Sequence, residues 1–264
     1  MNNRLDVSLG FSPSTRDVSV GQLGWDSSRR EAVAEWSPGF EQAHLNISPL
    51  LVKSYTGLLR SKGRAFGELP GLFGDSLPDG WGRLLIDRTL TSRGRSRAEI
   101  TDLTRLAMVG SHGMGALSYR PADDCPLEKD VDLDWFDGLV PKVGNDLASE
   151  DLERLRGMAG GSQGARPKFV AIIDKDNSQL LDHRSTLAGG WRHVLIKRRA
   201  QGDAEGAVEA EAAYSDVGAA AGVEVSPVTV LRASQGGGDT DVAYCLNIVL
   251  FYVHMRSFYG VWFL

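Results

Sequence analysis

The sequence has only two cysteines in 264 residues, Cys125 and Cys245, and no C-x-x-C pair. It therefore carries no disulfide framework, which suits a reducing cytoplasm. Its five histidines, His44, His112, His183, His193 and His254, stand singly, and none has the spacing of metal ligands. They read as structural or surface residues. The G-x-x-x-x-G-K-[ST] pattern of a Walker loop does not occur. The opening "MNNRLDVSLG" has no apolar core of signal-peptide length. There is no excess of positive charge: the formal net charge is −5, so the surface as a whole is not a nucleic-acid magnet. The first 240 residues contain no membrane-spanning run.

What is there is an ordinary globular composition, 42% hydrophobic and 24% charged, in a chain long enough for one or two domains with a sizeable core. Residues 6–37 alternate like a small β-meander: "VSVGQLGWD" and "AVAEW" are strands and "SSRRE" is the turn between them. Loop and short elements follow through two Ser-Pro breaks. Pro78-Asp79-Gly80 signals a turn. Trp81, Leu84, Leu85 and Leu90 then recur at helical spacing. "SRGRSR" (92–97) is a basic loop, most simply a solvated one, followed by another helix. "GMGALSYRP" is a strand behind a glycine turn. Residues 1–122 thus form one α+β subdomain, with 123–158 as a helical connector. In the connector Ser149 is placed to cap a helix, with Glu150 and Asp151 in its first turn.

The pattern changes at "GGSQGARPKF" (160–169). Glycines let backbone N–H groups approach a phosphate, Ser162 adds a hydroxyl, and Arg166 and Lys168 add charge. Alone, such a stretch is also what a flexible surface loop looks like. "KFVAIID" follows as a strand, a polar segment (174–191) turns the chain, and "RHVLIKRR" (192–199) is a second strand. Lys197 sits behind three apolar strand residues, which points it inward or along a cleft, or leaves it a strand-end lysine with its head in solvent. The alanine-rich helix over 205–222 presents Val208, Ala212, Ala213, Val217, Ala220 and Ala221 on one broad face, with Gly222 as its stop. It offers Glu209 and Glu211 as partners for Lys197. "VEVSPVTVL" is a further strand. Strand, strand with lysine, helix, strand is the order of a kinase N-lobe.

Three stretches together resemble the HipA-type serine/threonine kinase toxins of bacterial toxin–antitoxin modules: "FGELPGLFGDSLPDGWGRLLIDR", "RLAMVGSHGMGALSYRP", and "GGSQGARPKF" with "HVLIKRR" and "VEAEAAYSDVGAAAGVEVSP". The likeness runs from about residue 17 to about residue 231. It implies an α+β fold: a small β-meander with helices, then a kinase N-lobe-like mixed sheet with one helix over 159–237. It implies ATP with Mg2+ as cofactor, a small DNA-binding antitoxin as partner, and a protein substrate that the sequence does not identify. By resemblance Gly161, Ser162, Gly164, Ala165, Arg166 and Lys168 form the phosphate-facing loop, and Ser162 is the serine that some members phosphorylate. Lys197 is the nucleotide lysine. Glu211 is the helix glutamate, because its distance to Gly222 fits the family spacing.

Two departures bear on activity. The loop reads "SQGARPK", one residue shorter than the family's S-x-G-G-A-R-P-K. After "VEVSPVTVLRASQGGG" the family continues into a strand ending R-F-D-R and then a C-lobe bearing the catalytic aspartate and the metal ligands. Here residues 238–264 are a divergent apolar tail, and "HMRSFYG" within it is faintly similar to the family's next segment. One expectation for this ending is a local frameshift around 238–253 followed by an early stop. No C-lobe is expected, and no catalytic residue is assigned. After Gly222 the acidic residues are Glu224, Asp239 and Asp241, none in a kinase catalytic context. The sequence thus predicts a cytoplasmic, HipA-like chain with kinase ancestry and no transfer activity of its own. The other expectations are an intact kinase toxin, a non-catalytic antitoxin-binding protein, and a nucleic-acid-associated or tail-anchored protein resting on "SRGRSR" and the apolar end. A kinase half without its other half also predicts exposed apolar surface and poor solubility.

Overall fold

A computed structural model describes residues 3–10, 16–50, 52–61, 66–125, 127, 130–143, 147–159, 164–200 and 202–231, with the backbone alone at 243–247. The chain is mixed α+β and divides into two compact units. The first comprises the described residues of 1–78 and 90–124. The second comprises 79–89 and 125–251.

The first unit is built on an antiparallel sheet in the order β4-β3-β2-β1-β5, with β1 Arg4–Leu9, β2 Val18–Asp26, β3 Glu31–Trp36, β4 Leu58–Leu59 and β5 Leu117–Arg120. The two strands quoted from the meander both form, and β2 covers the nine residues of "VSVGQLGWD". Alternation drives them: in β1 and β3 every second side chain is buried and the residues between are less so. The ladder slips between Val7 and Ser8, and Gly21 lies beside that slip. A Cβ on Gly21 would come within 2.1 Å of the Glu35 carbonyl oxygen, so β2 and β3 can approach this closely only at glycine. Short helix α1 (Gly71–Gly74) and helix α3 (Asp102–Val109) add to this core, as do Phe40, Val52, Leu69 and Leu77 from the connecting segments. Helix α3 starts with a reciprocal cap between Thr101 and Thr104. Leu5, Leu23, Phe40, Phe73, Leu106 and Tyr119 are buried at its centre.

The second unit contains most of helix α2 (Gly80–Ser92), helices α4 (Leu133–Leu139) and α5 (Ser149–Ala159), and an antiparallel set of three strands, β7 (Leu180–Asp182), β6 (Lys168–Ile173) and β8 (Arg192–Lys197). The backbone of β10 (Ala243–Asn247) pairs on the outer side of β8, and β9 (Val228–Leu231) pairs with β10. All six residues of β6 are buried, as an apolar run at the centre of a covered sheet should be. Phe169 packs on Phe136 with ring centroids 4.5 Å apart. Trp81, Leu85, Leu155 and Met158 close the same core. The stretch 133–159 is therefore part of this core, not merely a link.

Three local readings change. First, residues 174–191 are not all turn. Leu180–Asp182 forms β7, held by a hairpin in which the Asp174 carboxylate accepts hydrogen bonds from the Ser178 and Gln179 backbone N–H groups. Three residues are too few for an alternation to be seen. Second, helix α5 begins at Ser149 itself, one position earlier than the capping role requires. Third, helix α6 (Ala207–Ala220) forms and stops at Gly222, but only Val208 of its apolar face is buried. Val217 is 65% and Tyr214 79% exposed. The expectations for residues 232–242 and for most of the apolar tail lie outside the described residues.

Candidate functional site

Strands β6 and β8 run antiparallel with Lys168 and Lys197 as direct partners. Two ammonium-bearing side chains thus start from opposite positions on neighbouring strands, where like charges destabilise a sheet unless something compensates. Part of the compensation is visible. Lys197 Nζ donates to Glu211 Oε1 of helix α6 at 2.5 Å. The two residues are 14 positions apart in sequence, and the pair is partly buried. Arg166 pairs with Asp203 at 2.8 Å, and the Asp203 carboxylate also accepts from the Ala200 N–H.

Lys168 is the most enclosed of the three cations, with 6% of its surface exposed. Burial holds its ammonium below the usual lysine range. The charge of Lys197 pushes the same way, while Asp79 and Glu211 pull it back up. Its ammonium lies against the loop backbone: a Cβ on Gly164 would sit 2.2 Å from Lys168 Nζ, and Gly164 has a φ of +104°. Only glycine serves here, on both steric and conformational grounds.

The loop is pinned from a part of the chain that the sequence did not connect with it. The Gly164 N–H donates to Asp79 Oδ2 at 3.1 Å, and the Trp81 N–H donates to the Gly164 carbonyl at 3.3 Å. The buried Trp81 indole Nε1–H donates to the Lys168 carbonyl at 2.8 Å. Gly80 faces Ala165, and a Cβ there would come within 3.1 Å of the Ala165 Cα. Asp79, Gly80 and Trp81 therefore position the loop that ends in Lys168. The signal was present as "LPDGW", an unusual turn and helix start, but nothing local says that its contacts lie more than 80 residues away.

Of the residues singled out from the sequence, Gly164, Ala165, Arg166 and Lys168 lie on one loop and strand start, and Lys197 and Glu211 meet beside Lys168. Gly161 and Ser162 lie outside the described residues. Among the described residues no group of three or more His, Cys, Asp or Glu side chains is placed to hold a metal ion. His183 and His193 are buried, and burial holds the His193 imidazole below its ordinary range. In the basic loop Arg93 pairs with Asp123 at 2.5 Å and Arg95 with Glu99 at 3.9 Å, so two of its cations are met by the chain's own carboxylates. Among the described residues no helix is long and apolar enough to cross a membrane.

Residues 14–120 match the family model of the HipA N-terminal domain. The matched residues are similar to that domain and make up less than half of the chain. Comparison with curated proteins gives no match. The matched region takes in the "LPDGW" turn and the strand at 117–120, and it stops before the glycine loop. The lysine site therefore stands on its own geometry and on the resemblance of its residues.

Proposed function

We propose that the second unit is the nucleotide-phosphate end of a HipA-type serine/threonine kinase, and that these 264 residues bind a nucleotide phosphate without transferring it. The observation that carries this reading is the register of Lys168 opposite Lys197, with Glu211 on Lys197 and Gly164 against Lys168. Paired ammonium groups on adjacent strands suit the oxygens of a polyphosphate better than any neutral ligand. A carboxylate from the following helix fixes one of them, as a kinase nucleotide lysine requires.

The residues present fit the phosphate part of ATP: Lys168 and Lys197 hold its oxygens, Glu211 orients Lys197, and the tight approach at Gly164 keeps the loop backbone close. ATP with Mg2+ brings a transferable phosphoryl group and the metal charge that stabilises its transfer. Among the described residues no group of three or more His, Cys, Asp or Glu side chains is placed to hold a metal ion, and no transfer step is derived from this site. A small DNA-binding antitoxin is the protein partner this reading expects, in the cytoplasm. The substrate of an intact relative would be a protein.

A non-catalytic, antitoxin-binding protein is the second reading. It is favoured by the family match lying at 14–120, which ends before Lys168 and Lys197 in the sequence. A nucleic-acid role draws little support, since Arg93 and Arg95 are already paired within the chain. Incubation of the purified chain with radiolabelled ATP separates the readings. Retention of label without covalent incorporation is expected. Robust incorporation that disappears in Lys197→Met would overturn the non-transferring part of the proposal, and absence of retention would leave the second reading.

A further inference from the structure

The cations around the glycine loop are balanced by carboxylates of the chain itself. Glu211 meets Lys197, Asp203 meets Arg166, and Asp79 takes the Gly164 N–H beside Lys168. Lys168, Lys197 and Arg166 thus face the carboxylates of Glu211, Asp203 and Asp79. A phosphate entering this site gains little net attraction unless a carboxylate gives way.

The three carboxylates are not equally free to move. Glu211 is committed to the nucleotide lysine from a helix. Asp203 is held at once by Arg166 and by the Ala200 N–H. Asp79 is exposed, and its hydrogen bond goes to a loop amide of the kind that cradles phosphate oxygen. Trp81 holds the same loop through the Gly164 and Lys168 carbonyls, so the loop keeps two anchors when Asp79 leaves.

We propose that Asp79 is an internal stand-in for phosphate: its carboxylate occupies the Gly164 amide, shares the field of Lys168, and must be displaced when a phosphate binds. Asp79 is therefore a positioning and gating residue of the loop that lowers affinity for anions. This rests on the phosphate-binding reading given above.

The test compares the full-length chain with Asp79→Asn and Asp79→Ser by titration calorimetry, using ATP and inorganic pyrophosphate as probes, each variant first being checked for an unchanged thermal melt. Removing one carboxylate from beside a bound phosphate should tighten binding of both probes about tenfold in low salt, the size of one charge-assisted hydrogen bond. The gain should shrink as salt rises. If the wild-type chain binds ATP in a Lys197-dependent way and neither variant binds more tightly, the stand-in role is wrong and the phosphate site survives. If wild type and variants alike bind neither probe, the phosphate-binding reading falls and takes this inference with it. Asp79→Asn alone failing to fold leaves Asp79→Ser to decide on the same criteria.

Discussion

Replacing Trp81 by phenylalanine probes the link between the turn at 79–81 and the glycine loop. The substitution keeps an aromatic ring in the core and removes one buried donor, the indole Nε1–H that reaches the Lys168 carbonyl at 2.8 Å. Leaving that carbonyl short of a partner costs about 1–3 kcal/mol. Trp81 is 5% exposed and packs in the same core as Leu85 and Phe169. The lost ring area and the small void add about 1 kcal/mol. The sum is about 2–4 kcal/mol, which in a unit of well over a hundred residues lowers the melting temperature by roughly 10 °C. Scanning calorimetry reads this directly. The second unit's transition should fall, and that of the first unit, whose core does not include Trp81, should stay in place. A second-unit transition within about 2 °C of wild type would show that the indole bond does not hold the loop, and the argument for positioning from 79–81 would fail.

Two further predictions concern other parts of the fold. Gly21→Ala should destabilise the first unit by about 2–4 kcal/mol, because the new methyl meets the Glu35 carbonyl oxygen and a chain that cannot yield without breaking the β2–β3 ladder. A chemical-denaturation midpoint equal to wild type would contradict it. Burial pushes the Cys125 thiol up to about 11. The folded chain then keeps this proton while the unfolded chain loses it, so stability should fall as pH rises from about 9 toward 11. In a Cys245→Ser background, Cys125 should react slowly with thiol reagents at pH 8, and Cys125→Ser should flatten the alkaline loss of stability. Fast labelling of the native chain would refute this.

Much of the local structure was legible because it follows from short-range pattern. The β3 strand alternates cleanly, and β6 is a continuous apolar run after its first residue. For Lys197 the local pattern offered two helix partners, Glu209 and Glu211, and the choice of Glu211, which the structure places on Lys197, came from the resemblance to the family's spacing. β7 was missed because three residues inside a polar segment carry no period. The burial of α6 was overread because alanine and valine at helical spacing show which side is apolar, not whether anything covers it. The part of the site formed by Asp79, Gly80 and Trp81 depends on contacts spanning 85 and 87 residues, and no local rule supplies those.

The central claim is that Lys168 and Lys197 form a phosphate site. Equilibrium binding of ATP to the full-length chain, set beside Lys197→Met, tests it most directly. Loss of one ammonium contact with phosphate should weaken binding at least about tenfold, with the melt of the second unit little changed, since the Lys197–Glu211 pair is partly exposed and adds little to stability. Binding of equal strength in the two proteins, or no binding in either, would contradict the account.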